Sequence, residues 1–165
     1  MKKYLYAALF ITSAMLAGCS KSEPEPEPAE QVIGSYAVDK VTVAYKYVDS
    51  PVEQSESYIF PFKNNQGELT AIVDVSKSAS NIITLTYVET AKYTNGQTET
   101  SKDVYSSIEL KPSETASGLF DMYSAGVKSG TVGGGNLNFE DITSLKDTVG
   151  RALTFSFRIS GKKSK

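Results

Sequence analysis

From Val32 to the C-terminus the chain reads as strand after strand, and no helical period is sustained over a dozen residues. The clearest segment lies near the end, where Leu153, Phe155, Phe157 and Ile159 alternate with Thr154, Ser156, Arg158 and Ser160. A period of two with one apolar set is the pattern of a half-buried strand. The first strand is longer and changes phase: Tyr36 and Val38 share one parity, while Val41, Val43, Tyr45 and Tyr47 share the other. A bulge near Asp39-Lys40 brings both sets to one face. Further strands are predicted at 58–62, 69–75, 82–88, 103–110, 119–123 and 127–139, about eight in all.

Turn chemistry separates them. Asn64-Asn65-Gln66-Gly67, Asn95-Gly96, Lys111-Pro112-Ser113, Ser117-Gly118 and Gly133-Gly134-Gly135-Asn136 are rich in residues that tolerate left-handed or proline-type backbone. Strands joined by such short loops form an antiparallel up-and-down meander. Eight of them with one apolar face close into a barrel, the alternative being a β-sandwich. Closure removes the exposed edges that a lone sheet has to guard. Pro61 cannot donate to a ladder, which predicts an edge or a bulge there.

The N-terminal part has a different character. Lys2 and Lys3 precede an apolar stretch from Tyr4 through Leu16, and small residues follow to Ala17-Gly18-Cys19. That order is a secretory signal, and the apolar run is shorter than the roughly 20 residues that span a bilayer. Leu16-Ala17-Gly18-Cys19 resembles the lipobox of bacterial lipoproteins. The resemblance implies removal of residues 1–18 and lipid attachment at Cys19, the only cysteine of the 165 residues. Residues 19–30 then form a linker, whose alternating Glu-Pro tract holds nothing large and apolar. It reads as an extended spacer of roughly 35 Å. Ser20 is not aspartate, which by analogy with the usual sorting rule points to the outer membrane of a Gram-negative cell envelope, on its periplasmic or its outer face.

Residues 31–165 suffice for one domain of ordinary size. With one cysteine, taken by the anchor, this domain has no internal disulfide and relies on its core. Of 17 basic and 19 acidic side chains, Lys2 and Lys3 leave with the signal. The mildly acidic remainder has no electrostatic footprint for nucleic acid. Gly34-Ser35-Tyr36 at the start of the first strand resembles the Gly-x-Trp opening of lipocalins, with tyrosine in place of tryptophan. Ser129-Gly130-Thr131-Val132, Gly135-Asn136-Leu137-Asn138-Phe139 and the last strand through Lys163 are similar to the hairpins of lipocalin-like bacterial lipoproteins. The resemblance implies a lipocalin-like barrel, with Arg158 as the cation that packs over the opening ring.

Chemistry is limited by what is missing. Histidine and tryptophan are absent, which removes Ser-His-Asp and Cys-His triads, His-containing zinc sites and imidazole proton shuttles. A carboxylate pair for glycoside chemistry has candidates in Glu109, Asp121, Glu140 and Asp141; Glu140-Asp141 reads as a solvated loop. Gly133 to Gly135 lacks the Lys-Ser/Thr and helix of a phosphate loop. No catalytic residue, metal ligand or cofactor is assigned, and the chain is not expected to be an enzyme. Ten tyrosines, all but Tyr4 and Tyr6 beyond the signal, are the most suggestive feature. Tyrosine offers a flat apolar face and a hydroxyl. Tyr36, Tyr45, Tyr47 and Tyr87, taken to point inward, are the candidate ligand-binding residues. Two functions follow as expectations. The first is a membrane-anchored lipocalin-like module binding a small apolar or amphipathic ligand. The second is a structural module without a pocket, docking onto another envelope protein through connections at 49–57, 111–117 or 140–150.

Overall fold

The structure, a computed structural model, describes residues 25–164. The predicted signal peptide, Cys19 and the linker up to Pro24 lie outside them. A short helix α1 (Pro28–Val32) precedes ten strands: β1 (Gly34–Tyr47), β2 (Gln54–Ile59), β3 (Phe62–Asn64), β4 (Gly67–Ala79), β5 (Ile82–Tyr93), β6 (Thr98–Pro112), β7 (Leu119–Ser124), β8 (Val127–Gly133), β9 (Asn136–Lys146) and β10 (Ala152–Lys163). β1 and β4 to β10 close an eight-stranded antiparallel barrel in meander order, so the barrel and not the sandwich is the fold. Closure is made by Gly34–Ala37 of β1 against Val75–Ile72 of β4.

The predicted bulge exists: the β1–β10 register shifts between Val38 and Lys40. It turns Tyr36, Val38 and Val41 to the same interior, where all three are buried. Past the bulge β1 leaves β4 and pairs with β2 instead. The strand predicted at 58–62 is therefore two pieces, β2 on β1 and β3 on β4, with the break at Phe60-Pro61. The segment predicted as one strand at 127–139 is the hairpin β8–β9. Gly134 and Gly135 both have positive φ at its tip, as a tight hairpin of this hand requires. β9 runs on to Lys146, so Glu140-Asp141 is strand and not loop, and the expected long connection at 140–150 shrinks to the turn after Lys146.

The barrel has two unlike poles. At one, α1 lies across the end with Ala29 and Val32 fully buried against the interior. Proline at the start of α1 suits a position whose N–H needs no partner. The final turn of the expected spacer is thus folded into the domain. Three contacts hold it: Ala29 N–H donates to the Ser80 carbonyl at 3.0 Å, the Tyr36 hydroxyl donates to the Val32 carbonyl at 2.8 Å, and Lys77 reaches Glu27 and Glu30 at 2.6 and 2.7 Å. Beneath the helix Ile83, Leu85, Ile108, Met122, Leu137 and Val132 fill the barrel to near-zero exposure.

At the other pole the wall is incomplete. β7 and β8 are short, and β7 covers only Glu109–Pro112 of β6. β8 covers β9 only as far as Phe139. The first half of β6 and the last half of β9 therefore stand apart without a strand between them.

Ile108 is fully buried at the filled pole. Ile108→Ala is expected to cost about 2–5 kcal/mol of unfolding free energy by urea titration. Ile142→Ala, on an exposed outer position of the incomplete pole, is expected to stay within about 0.5 kcal/mol.

Candidate functional site

The four tyrosines chosen from sequence do point inward, but they do not meet. Tyr36 sits at the filled pole, 1% exposed, its hydroxyl committed to α1. It is a core residue. The cation over its ring is Lys163, with Nζ 5.9 Å from the ring centre, and not Arg158. Arg158 pairs with Thr42 on the outer wall, where it bridges Glu140 at 2.7 Å and Glu53 at 3.2 Å. Glu140 is thereby turned away from Asp141, whose position opposite Phe157 puts it on the inner face.

The other three line the incomplete pole at different depths. Tyr87 is its floor, 4% exposed, edge-on to Phe157 at 5.4 Å, with its hydroxyl donating to Glu89 at 2.9 Å. Tyr45 and Tyr47 form its rim, 6.1 Å apart edge to face. The Tyr45 hydroxyl donates to the Gln54 side chain, and the Arg151 guanidinium lies 4.3 Å over the Tyr47 ring.

Register adds residues that the sequence reading passed over. Tyr105, beside Phe139 at 4.7 Å, faces inward across the gap between β6 and β9. Tyr93 on β5 donates to Glu99 on β6 at 3.0 Å, and the neighbouring Glu56 carboxylate pushes the Tyr58 hydroxyl on β2 up from the usual tyrosine range. Glu56, Glu89, Glu99, Asp103 and Asp141 share the inner face of this pole by register, and no lysine or arginine occupies an inward strand position there. A hollow of about 310 Å³ opens between β1 and β2, lined by Val43, Tyr45, Gln54, Glu56 and Tyr58. A second, about 180 Å³, lies among Phe62, Leu69, Ala91 and Tyr93. A hollow of about 540 Å³ at the opposite pole is the crease between the incoming chain at 25–28 and the loop before β7.

The electrostatics follow from this company. Burial, then the Glu89 carboxylate, pushes the Tyr87 hydroxyl up from the usual tyrosine range. Burial, with Asp141 and Asp103 nearby, pushes Tyr105 up to about 12. Both stay neutral donors at any ordinary pH. Among the described residues no group of three or more acids, cysteines or histidines is placed to hold a metal ion. No helix among them is long and apolar enough to cross a membrane. Comparison with known proteins finds no matching family model, no matching curated protein and no matching solved structure.

Alternation would have carried the strand predicted at 103–110 back through Ser101 and Glu99, on the same face as Asp103 and Tyr105, had the polarity of 98–102 not hidden it. The raised Tyr105 value has a consequence in alkali. An unfolded tyrosine ionises near 10, so the stabilisation held by neutral Tyr105 is complete below about 10 and is lost as pH climbs towards 12. Unfolding free energy measured between pH 8 and 11 is expected to fall at the alkaline end, and to fall less steeply in Tyr105→Phe.

Proposed function

We propose that this protein is a lipid-anchored envelope lipoprotein whose lipocalin-like barrel binds a small apolar or amphipathic ligand in the mouth of its incomplete pole. One observation carries the reading: the barrel is solid at the pole that receives the N-terminal chain and open, with aromatic walls, at the other. A barrel of eight strands can be filled by its own side chains or hold one small ligand, and this one divides the two roles between its ends.

The chemistry of the mouth narrows the ligand. Tyr45, Tyr47, Tyr58, Tyr87, Tyr93 and Tyr105 supply flat apolar area, with Phe155 and Phe157 behind them. Inward carboxylates on strands that carry no inward lysine or arginine favour a polar part that is neutral or positively charged, and the rim cation Arg151 is already held by Asp147 and the Tyr47 face. Aromatic faces attract such cations as well. Lys163 over Tyr36 supports the lipocalin resemblance, since it supplies the cation-on-ring contact that the family's opening motif implies.

The anchor sets the orientation. The chain enters at the filled pole, through the residues before α1, so a lipid on Cys19 turns the mouth away from the membrane. The outer membrane is the proposed location. Binding rather than catalysis is the proposed role, with no cofactor. Docking onto an envelope protein is the alternative.

Two measurements test these readings. Cys19→Ser is expected to move the protein from the membrane to the soluble fraction of the cells that export it, and unchanged membrane attachment would refute lipidation at that residue. Native mass spectrometry of the protein taken gently from its own host's envelope is expected to find a reproducible added mass of a few hundred daltons. Tyr45→Ala with Tyr58→Ala, both at the half-exposed rim, should lose it. A bare chain, or one carrying a stoichiometric protein, contradicts the ligand reading, and the latter favours docking.

A further inference from the structure

The gap in the wall leaves two lengths of strand edge with unsatisfied ladder groups. Beyond Phe139, β9 pairs with β10 on one side and with nothing among the described residues on the other. Before Glu109, β6 pairs only with β5. An unpaired edge is a template for another strand unless charge, proline or a bulge blocks it.

The two edges differ in this respect. Two copies joined about a two-fold axis that continues the sheet must align residues of equal parity, so the axis passes through a residue. On β6, an axis through Lys102 or Asp103 sets like charges opposite each other, and an axis through Ser101 sets Glu99 against Asp103. Axes through Thr100 and Val104 avoid like charges, but no register of that edge sets opposite charges against each other. On β9, an axis through Thr143 sets Glu140 opposite Lys146, Ile142 opposite Ser144, and Thr143 opposite Thr143. Symmetry makes every one of these contacts twice except the central pair. Opposite charges and Thr-Thr pairs facing each other across strands are favourable.

We propose that the free edge of β9, from Glu140 to Lys146, pairs antiparallel with the same edge of a second copy of this chain about a two-fold axis at Thr143. This goes beyond the ligand reading and does not depend on it. The inferred register brings the two Ile142 side chains to diagonal positions across the axis. Each is 55% exposed in the single chain, and the pairing covers both. Glu140 keeps Arg158 at 2.7 Å on its own wall and gains Lys146 of the second copy on its free side. The contact is isologous and therefore closes at two copies instead of growing into a fibre. It is short, which places it in the weak class; copies held on one membrane meet at raised effective concentration.

Directly opposed residues of antiparallel strands have Cα atoms about 4.5–5.5 Å apart, within the span of a disulfide. The test is therefore Thr143→Cys in the full chain, oxidised mildly in the membranes of an exporting host and run without reductant. The parent with Cys19 alone is the baseline, and Ser101→Cys on the β6 edge is the control for random collision. The expected result is a species of doubled mass for Thr143→Cys well above both. Adding Lys146→Glu, which replaces two opposite-charge contacts by two like-charge ones, should lower its yield roughly tenfold. Cross-linking no better than Ser101→Cys, or indifferent to Lys146→Glu, overturns the proposal. A Thr143→Cys adduct of another mass, on another protein, also overturns it and assigns the edge to a different partner.

Discussion

The structure depends on how β1 is shared. Its first four residues close the barrel on β4, and after the bulge at Asp39 its remaining length belongs to β2. A ring of eight strands needs one last seam, and here the seam is four residue pairs long. Where it holds, the interior is narrow enough for Tyr36, Leu85, Ile108 and Met122 to fill it, and α1 seals the end. Where it lapses, β1 and β4 diverge, β2 and β3 occupy the space between them, and the inner wall opens into the tyrosine-lined mouth.

The short β7–β8 hairpin acts in the same sense from the far side. Gly130 and Gly133 pass so near neighbouring backbone that a Cβ on either would lie 2.0 and 2.2 Å from a carbonyl oxygen. The hairpin is thus pressed tightly into the filled half and turns back at Ala125-Gly126 before reaching the mouth. Solid packing at one pole and missing wall at the other have a common origin in strand length. The filled half supplies the stability, which leaves the open half free to carry polar inward residues such as Glu89, Asp103 and Asp141 that a core would not tolerate unpaired.

The same division explains what was legible in the sequence. β10 alternates cleanly because its inward residues, from Leu153 to Ile159, are apolar throughout. The bulge in β1 was legible because apolar residues flank it on both sides. Wherever inward positions belong to the mouth, the hydrophobic signal fades: Thr98 to Asp103 has no apolar member and yet is strand, and the acids Glu140-Asp141 read as loop although β9 continues through them. The strand predicted at 58–62 starts four residues after the true start of β2 and runs across the break into β3, because the inward set of β2 is Gln54, Glu56 and Tyr58. Parity placed Tyr36, Tyr45, Tyr47 and Tyr87 correctly on one face. Their depth along the barrel axis was not legible, since it depends on which pole the chain enters and where the seam ends, both long-range facts. Arg158 was misplaced for a related reason, because the residue opposite Tyr36 is set by register and is Lys163.

One pole is a solid base, and the other is the binding surface we propose. Hydrogen exchange along the whole chain tests it most directly, comparing the protein as isolated from its own envelope with the same protein after solvent extraction of bound small molecules. The account predicts that exchange quickens on extraction in 43–47, 54–58, 87–93 and 98–105, and is unchanged in 34–38, 82–85 and 159–163. Identical exchange at both poles before and after extraction, or a change confined to the α1 pole, would contradict it.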